Sequence, residues 1–210
     1  TGGTEALRVD SSQRLLVNID SAMETFGSAA LQVATTAGGT LVLGRNDTSV
    51  SADNGLGAIY FDTKAGGSYA ESAVIAAEAD ADQGSSDYPS RLVFKTTADG
   101  ESSPTERLRI TSAGLARVPD NGKFVAGAGD DLQIYHDGTD SYVDNSTGDL
   151  ILRSTGDDVI IRATDDVIIQ NGGSDNAIVC NNDGNVELYF NTAKKLETSS
   201  AGVEVTGKLT

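Results

Sequence analysis

Between Gly148 and Gln170 the chain reads GDLILRSTGDDVIIRATDDVIIQ, and this run limits the fold more than any other feature. Three apolar triplets, Leu150-Ile151-Leu152, Val159-Ile160-Ile161 and Val167-Ile168-Ile169, recur at spacings of nine and then eight residues. Each is followed by a polar side chain: Arg153, Arg162 and Gln170. Self-similarity at a short period marks a repetitive architecture. An amphipathic helix needs a 3.6-residue apolar period over ten or more residues, whereas here β-branched triplets are cut by Gly-Asp-Asp and Asp-Asp turns. The pattern predicts short strands. Weaker copies at Leu132-Gln133-Ile134, Ala177-Ile178-Val179 and Val186-Glu187-Leu188 extend it on both sides.

A longer repeat marks the ends of segments. Residues 5–17 (EALRVDSSQRLLV), 106–118 (ERLRITSAGLARV) and 195–205 (KLETSSAGVEV) each read as strand, Ser-rich turn and strand. That order is a hairpin or corner signature. Copies this far apart predict two modules, an N-terminal β-rich one over 1–118 and a C-terminal β-repeat, solenoid-like one over 119–210. Pro119-Asp120-Asn121-Gly122 supplies the junction. Residues 70–79 (AESAVIAAEA) suit a helix by propensity, but the flanking runs 57–62 and 91–95 read as strands, so a strand is preferred there too.

Composition agrees with a helix-poor chain. The acidic residues divide into 22 Asp and 9 Glu, and 24 Gly accompany them. Asp and Gly favour turns where Glu favours helices. The net charge of −16 argues against nucleic acid, whose phosphates need clustered Lys and Arg, and against an anionic membrane surface. The longest apolar runs are about five residues, far short of a membrane-spanning helix. One Cys and one His exclude an intrachain disulfide framework and a His- or Cys-rich metal centre within one chain.

The triplets also bear on assembly. Along a strand, Val159 and Ile161 face one way and Ile160 the other. Stacking such runs gives one apolar row inside and a second, Ile151-Ile160-Ile168, on the opposite face. A lone thin solenoid would leave that second row in water. An eight- or nine-residue unit makes one side of a coil, and three sides closing a triangle can come from one chain or from three. Strands apolar on both faces favour three identical chains sharing a core. The expected packing residues are Ile151, Val159, Ile160, Ile161, Val167, Ile168 and Ile169.

Candidate chemistry is sparse. The pairs Asp130-Asp131, Asp157-Asp158 and Asp165-Asp166 are the candidates for a hard cation such as Ca²⁺. From Asp130 to Asp183 the chain holds 12 Asp against Arg153 and Arg162. Neither the EF-hand loop nor a Gly-Gly-x-Gly-x-Asp repeat is present, and Asp at a turn ordinarily bonds its own backbone. No confident metal site or cofactor is therefore expected. Paired carboxylates also cleave sugars in β-helical depolymerases, but these acids sit at repeat turns rather than converging. His136 reads as a turn residue, Cys180 as a small buried hydrophobe, and no catalytic residues are assigned.

The stretches 129–138 (GDDLQIYHDG), 148–152, 191–198 (NTAKKLET), 201–207 (AGVEVTG) and 104–114 (PTERLRITSAG) resemble repeat units in tail-fibre proteins of marine bacteriophages, notably cyanophages. The resemblance implies an all-β fold of repetitive short strands in intertwined homotrimeric β-helix or β-prism-like fibre modules. It further implies a non-enzymatic virion component, made in the bacterial host cytoplasm, that helps attach the phage to its host. The implied partners are two further copies, other tail proteins, and a glycan or protein receptor on the bacterial surface. Nucleic acid and membrane insertion are not among them. A bacterial surface adhesin is the alternative with the same scaffold, and a polysaccharide depolymerase the alternative with a different activity. The first residue is Thr1 and the only Met is Met23, which agrees with the longer parent chain that the resemblance implies.

Overall fold

The computed structural model describes the backbone of Leu7–Val9, Leu15–Val17 and Leu31–Val33, together with residues 38–208. Among these residues the protein is all-β, with sixteen strands, no α-helix and a single 3₁₀ turn at Ala65–Gly67. The strands form four sheets. Sheet I holds β1 (Leu7–Val9), β2 (Leu15–Val17) and β3 (Leu31–Val33), the last pair being parallel. Sheet II is a five-stranded antiparallel meander of β4 (Gly55–Thr63), β5 (Ala70–Ala79), β6 (Ser90–Thr96), β7 (Thr105–Ile110) and β8 (Ala116–Arg117). Sheet III holds β9 (Lys123–Ala126), β10 (Leu132–His136) and β11 (Ser141–Asn145). Sheet IV repeats the five-stranded meander with β12 (Val167–Asn171), β13 (Asp175–Cys180), β14 (Val186–Phe190), β15 (Ala193–Ser199) and β16 (Gly202–Val205).

The long repeat falls where hairpins fall. Its three copies are β1–β2, β7–β8 and β15–β16, each an antiparallel pair. In the second copy Gly114 takes φ +77°, the left-handed conformation that a glycine adopts without a Cβ penalty, and its N–H closes the turn on the Thr111 carbonyl. Residues 70–79 form β5, as the flanking strands suggested. The short-repeat copies at 132–134, 167–169, 177–179 and 186–188 all lie in strands.

Two expectations need correction. Leu150–Leu152 and Val159–Ile161 are not in strands. A triplet becomes a strand only beside a ladder neighbour, and these two have none among the described residues. The copies from 167 onward pair as an antiparallel meander rather than stacking as coils of a solenoid. Their connections are short turns, such as 181–185, which return the chain alongside the strand it has just left.

The chain divides into two compact units, Thr1–Thr147 and Gly148–Thr210. The change from sheet II to sheet III lies at 118–122, where the sequence places its junction, and both sheets belong to the first unit.

Candidate assembly surfaces

Directly opposed residues in neighbouring strands share a face. In sheet II one such row runs Ile59, Ile75, Phe94, Leu108. Alongside it lie Phe61 with Ala73, and Ala77 with Leu92 and Ile110. The Phe61–Ala73 row continues to Thr96, whose hydroxyl accepts from Arg107 at 3.0 Å, and the other two rows hold no charged residue. Their members are nonetheless half-buried or exposed, Ile59, Phe61, Leu92 and Ile110 among the exposed ones. Leu43 approaches one corner of this face, so closely that a Cβ on Gly57 would sit 3.0 Å from the Leu43 Cβ.

The opposite face of sheet II carries the charges and yet is better buried. Val74, Ala76 and Val93 line its floor, with Val93 fully inaccessible. Over them lies a network centred on Arg91, which donates to Glu78 at 2.7 Å, Asp53 at 2.6 Å and Asp80 at 3.4 Å. Lys95 adds a bond to Glu78 at 3.0 Å, and Arg109 one to Glu106 at 2.6 Å. Long cationic stems cover the apolar floor, and the Arg91 side chain is itself only 9% exposed beside its three carboxylates. Burial pushes the Glu78 carboxyl up, but hydrogen bonds from Lys95 and Arg91 outweigh it and hold the group below its ordinary range. The Ser112 N–H and hydroxyl hold Asp80 low as well, which ties the β7–β8 turn to the end of β5.

Sheet IV follows the same plan. Ile169, Ile178, Leu188, Leu196 and Val205 form one row, beside Val167, Cys180 and Val186. The reverse face runs Ile168, Val179, Glu187, Glu197, Glu204. Here Lys194 bridges Glu187 and Glu197, and the Tyr189 hydroxyl donates to Glu187. Those bonds, Tyr189 first and Lys194 second, lower the Glu187 pKa. In sheet III the apolar row is Phe124, Ile134, Val143, all about half exposed. Its reverse stacks Tyr135 on Tyr142 at 4.8 Å, with the Lys123 ammonium 4.4 Å from the Tyr135 ring centre.

Thus, among the described residues, each of the three sheets has one predominantly apolar face that is largely exposed, with Leu41 and Leu43 lying against part of the one on sheet II. The sequence reading placed packing residues only in 151–169 and missed the faces of sheets II and III. Strict alternation could have found them: Ile59 with Phe61, Leu92 with Phe94 and Leu108 with Ile110 sit two apart.

Of the residues that reading did single out, Ile151 and Ile160 are 74% and 72% exposed. Val159, Ile161, Ile168 and Ile169 are also exposed, and Val167 is half-buried. Ile168 lies on the charged side of sheet IV and Val167 and Ile169 on the apolar side. Cys180 is half-buried against Val167 and Val186. His136 ends β10 with Nδ1 3.1 Å from the Ser141 hydroxyl.

The Asp pairs serve local structure. Asp130 occupies the left-handed region at φ +54°, and the Asp131 carboxylate accepts from Thr147 at 3.0 Å. Asp157 accepts the Asp158 N–H, and Asp166 accepts the Asn182 N–H at 2.9 Å. Asp165 and Asp166 border an open polar hollow with Asn181, Asp183 and Glu187. Among the described residues no three His, Cys, Asp or Glu side chains gather to hold a metal ion. No helix of the described residues is long and apolar enough to cross a membrane.

No protein-family model and no curated protein matches this sequence. Among solved structures, one similar chain is the carboxy-terminal domain of the bacteriophage T5 L-shaped tail fibre with its intramolecular chaperone domain. The TM-score is 0.30 at 13% identity, over 75% of this chain and 50% of that one. This chain therefore spans half the length of that structure, and a likeness so distant carries no argument about function.

Proposed function

We propose that this chain is a structural, non-enzymatic segment of a trimeric bacteriophage tail fibre that contributes to attachment to the bacterial surface. The observation that carries the reading is the set of predominantly apolar, exposed faces on sheets II, III and IV. A chain of net charge −16 repels its own copies over most of its surface. Copies meet most favourably where charge is sparse, and these faces are such places. Covering a half-exposed Ile or Phe contributes on the order of 1 kcal/mol, so several on each sheet supply a substantial driving force. The charged faces then point outward, where Arg91, Lys95 and Lys194 hold their carboxylates in place. Weak contacts with a surface glycan or protein, multiplied over three chains and many fibres, give strong attachment of the particle. Light scattering coupled to size exclusion tests the assembly: three times 21.6 kDa is expected, and a 21.6 kDa species at micromolar concentration overturns it.

A further inference from the structure

The dipeptide Asn-Gly occurs three times in this chain, at Asn54-Gly55, Asn121-Gly122 and Asn171-Gly172. Each pair borders a turn, where its backbone preferences suit it. The same pair carries a chemistry of its own. Glycine has no Cβ to screen its backbone nitrogen, so that nitrogen can reach the carboxamide carbon of the asparagine before it. How readily it does so depends on how firmly the two groups are held apart.

The first two pairs are held. The Asn54 Oδ1 accepts the Ser51 N–H at 3.2 Å, the Asn54 carbonyl accepts the Ala79 N–H at 2.8 Å, and Gly55 already lies in β4 opposite Glu78. At the second pair the Gly122 N–H donates to the Pro119 carbonyl at 2.8 Å, and the Asn121 N–H donates to the His136 carbonyl at 2.8 Å. The nitrogen that would attack is engaged there. The third pair is different. Asn171 is exposed at the end of β12, and Gly172 follows at φ +55° with open space where a Cβ would stand. Among the described residues, neither the Asn171 carboxamide nor the Gly172 N–H takes part in a hydrogen bond. The flanks of this turn are fixed all the same. The Gln170 amide donates to the Ser174 carbonyl at 3.3 Å and to the Asn176 Oδ1 at 3.0 Å. Fixed flanks with a free tip keep the reacting groups adjacent and leave them free to turn toward each other.

We propose that Asn171-Gly172 is a self-modification site, where Asn171 deamidates ahead of Asn54 and Asn121 and so loosens the edge of sheet IV. Hydroxide takes the Gly172 amide proton, and the nitrogen bonds to the Asn171 Cγ. The Cγ–Nδ2 bond then breaks, and ammonia leaves with a proton from water, which restores the hydroxide. The cyclic imide takes up a water and opens at either carbonyl. One opening gives aspartate at position 171, and the other gives isoaspartate, whose main chain runs through the side-chain carbon. Both products place a carboxylate across the ladder from Asp175, and like charges in facing positions weaken a strand pair. Isoaspartate also adds a main-chain atom to a strand whose faces alternate with period two. β12 is the outermost strand of its sheet, so the loss begins at that edge. None of this depends on the number of chains in the assembly.

Incubation of the full chain at mildly alkaline pH, followed by peptide mapping with fragmentation, tests the site. Position 171 is expected to convert at least about tenfold faster than positions 54 and 121, because each hydrogen bond that must first open slows attack. Equal conversion at the three positions, or faster conversion at 54 or 121, overturns the proposal. Asn171→Gln, whose longer side chain must close a larger and slower-forming ring, is expected to remove the early phase of ammonia release. An early phase that persists in this variant also overturns it. Hydrogen exchange then tests the consequence. In Asn171→Asp the β12 amides are expected to exchange at least about threefold faster than in wild type, with sheet II unchanged. Unchanged β12 exchange, both in that variant and in the aged wild-type chain, overturns the loosening.

Discussion

Sheets II and IV are two answers to one problem, and they differ in how many cations seal the charged side. Sheet II places Arg91, Lys95 and Arg109 over its floor, and Val93 is wholly buried. Sheet IV has Lys194 alone between Glu187 and Glu197, with Glu204 next in the row, and its Val179 is slightly less buried. In a chain with twice as many acids as bases, cations are the scarce component. Where three are gathered, a meander builds a closed layer from side-chain stems and ion pairs. Where one is present, carboxylates outnumber it and the layer depends more on pH and salt.

The largest effect should come from the floor of sheet II. Val93→Asp places a carboxylate under Arg91 and Arg109 with no water, and should destabilise sheet II by about 3–5 kcal/mol. Urea unfolding of wild type and variant measures it. The matching Val179→Asp should lose less, and an equal loss would break the contrast between the sheets. Next comes Arg91→Ala, which strips partners from Glu78, Asp53 and Asp80. A loss of about 1.5–3 kcal/mol is expected, against a clearly smaller one for Lys194→Ala.

Acid should then act on the same ion pairs. The folded Glu78 has a lowered pKa, so its contribution is present above the unfolded value and disappears as pH falls through the folded one. The stability gap between wild type and Glu78→Gln should therefore be full near neutrality and close on acidification below the ordinary Glu range. A gap that persists at the lowest pH would show that Glu78 acts by packing rather than by charge. The smallest effect on a single sheet should come from the uncovered face. Ile59→Asn should change the stability of sheet II by about 0.5 kcal/mol or less in the monomer, yet lower the assembled fraction in light scattering.

The strand content was legible because period-two and turn signals are local. The β7–β8 and β15–β16 hairpins could be read from Ser-x-Gly turns between short apolar runs, and β12 to β14 from their triplets. The charged faces were not legible, since Arg91 finds Glu78, Asp53 and Asp80 only through strand register. The apolar rows of sheets II and III were open to a pattern search but lie in less conspicuous sequence, with Ala73 and Ala77 diluting the signal. The triplets at 150–152 and 159–161 show the converse limit. Their composition fits a strand, but a strand is a relation to a neighbour, and among the described residues these triplets have none.

In sheets II, III and IV every pairing joins strands that are consecutive along the chain. Such sheets close only short loops and so fold quickly for β-structure, because little chain entropy is lost before contacts form. Each meander can therefore take shape on its own chain, even while synthesis continues. If the chain assembles as proposed, association comes afterwards as a concentration-dependent step between preformed pieces, and encounters between chains rather than folding within them set the time to assembly.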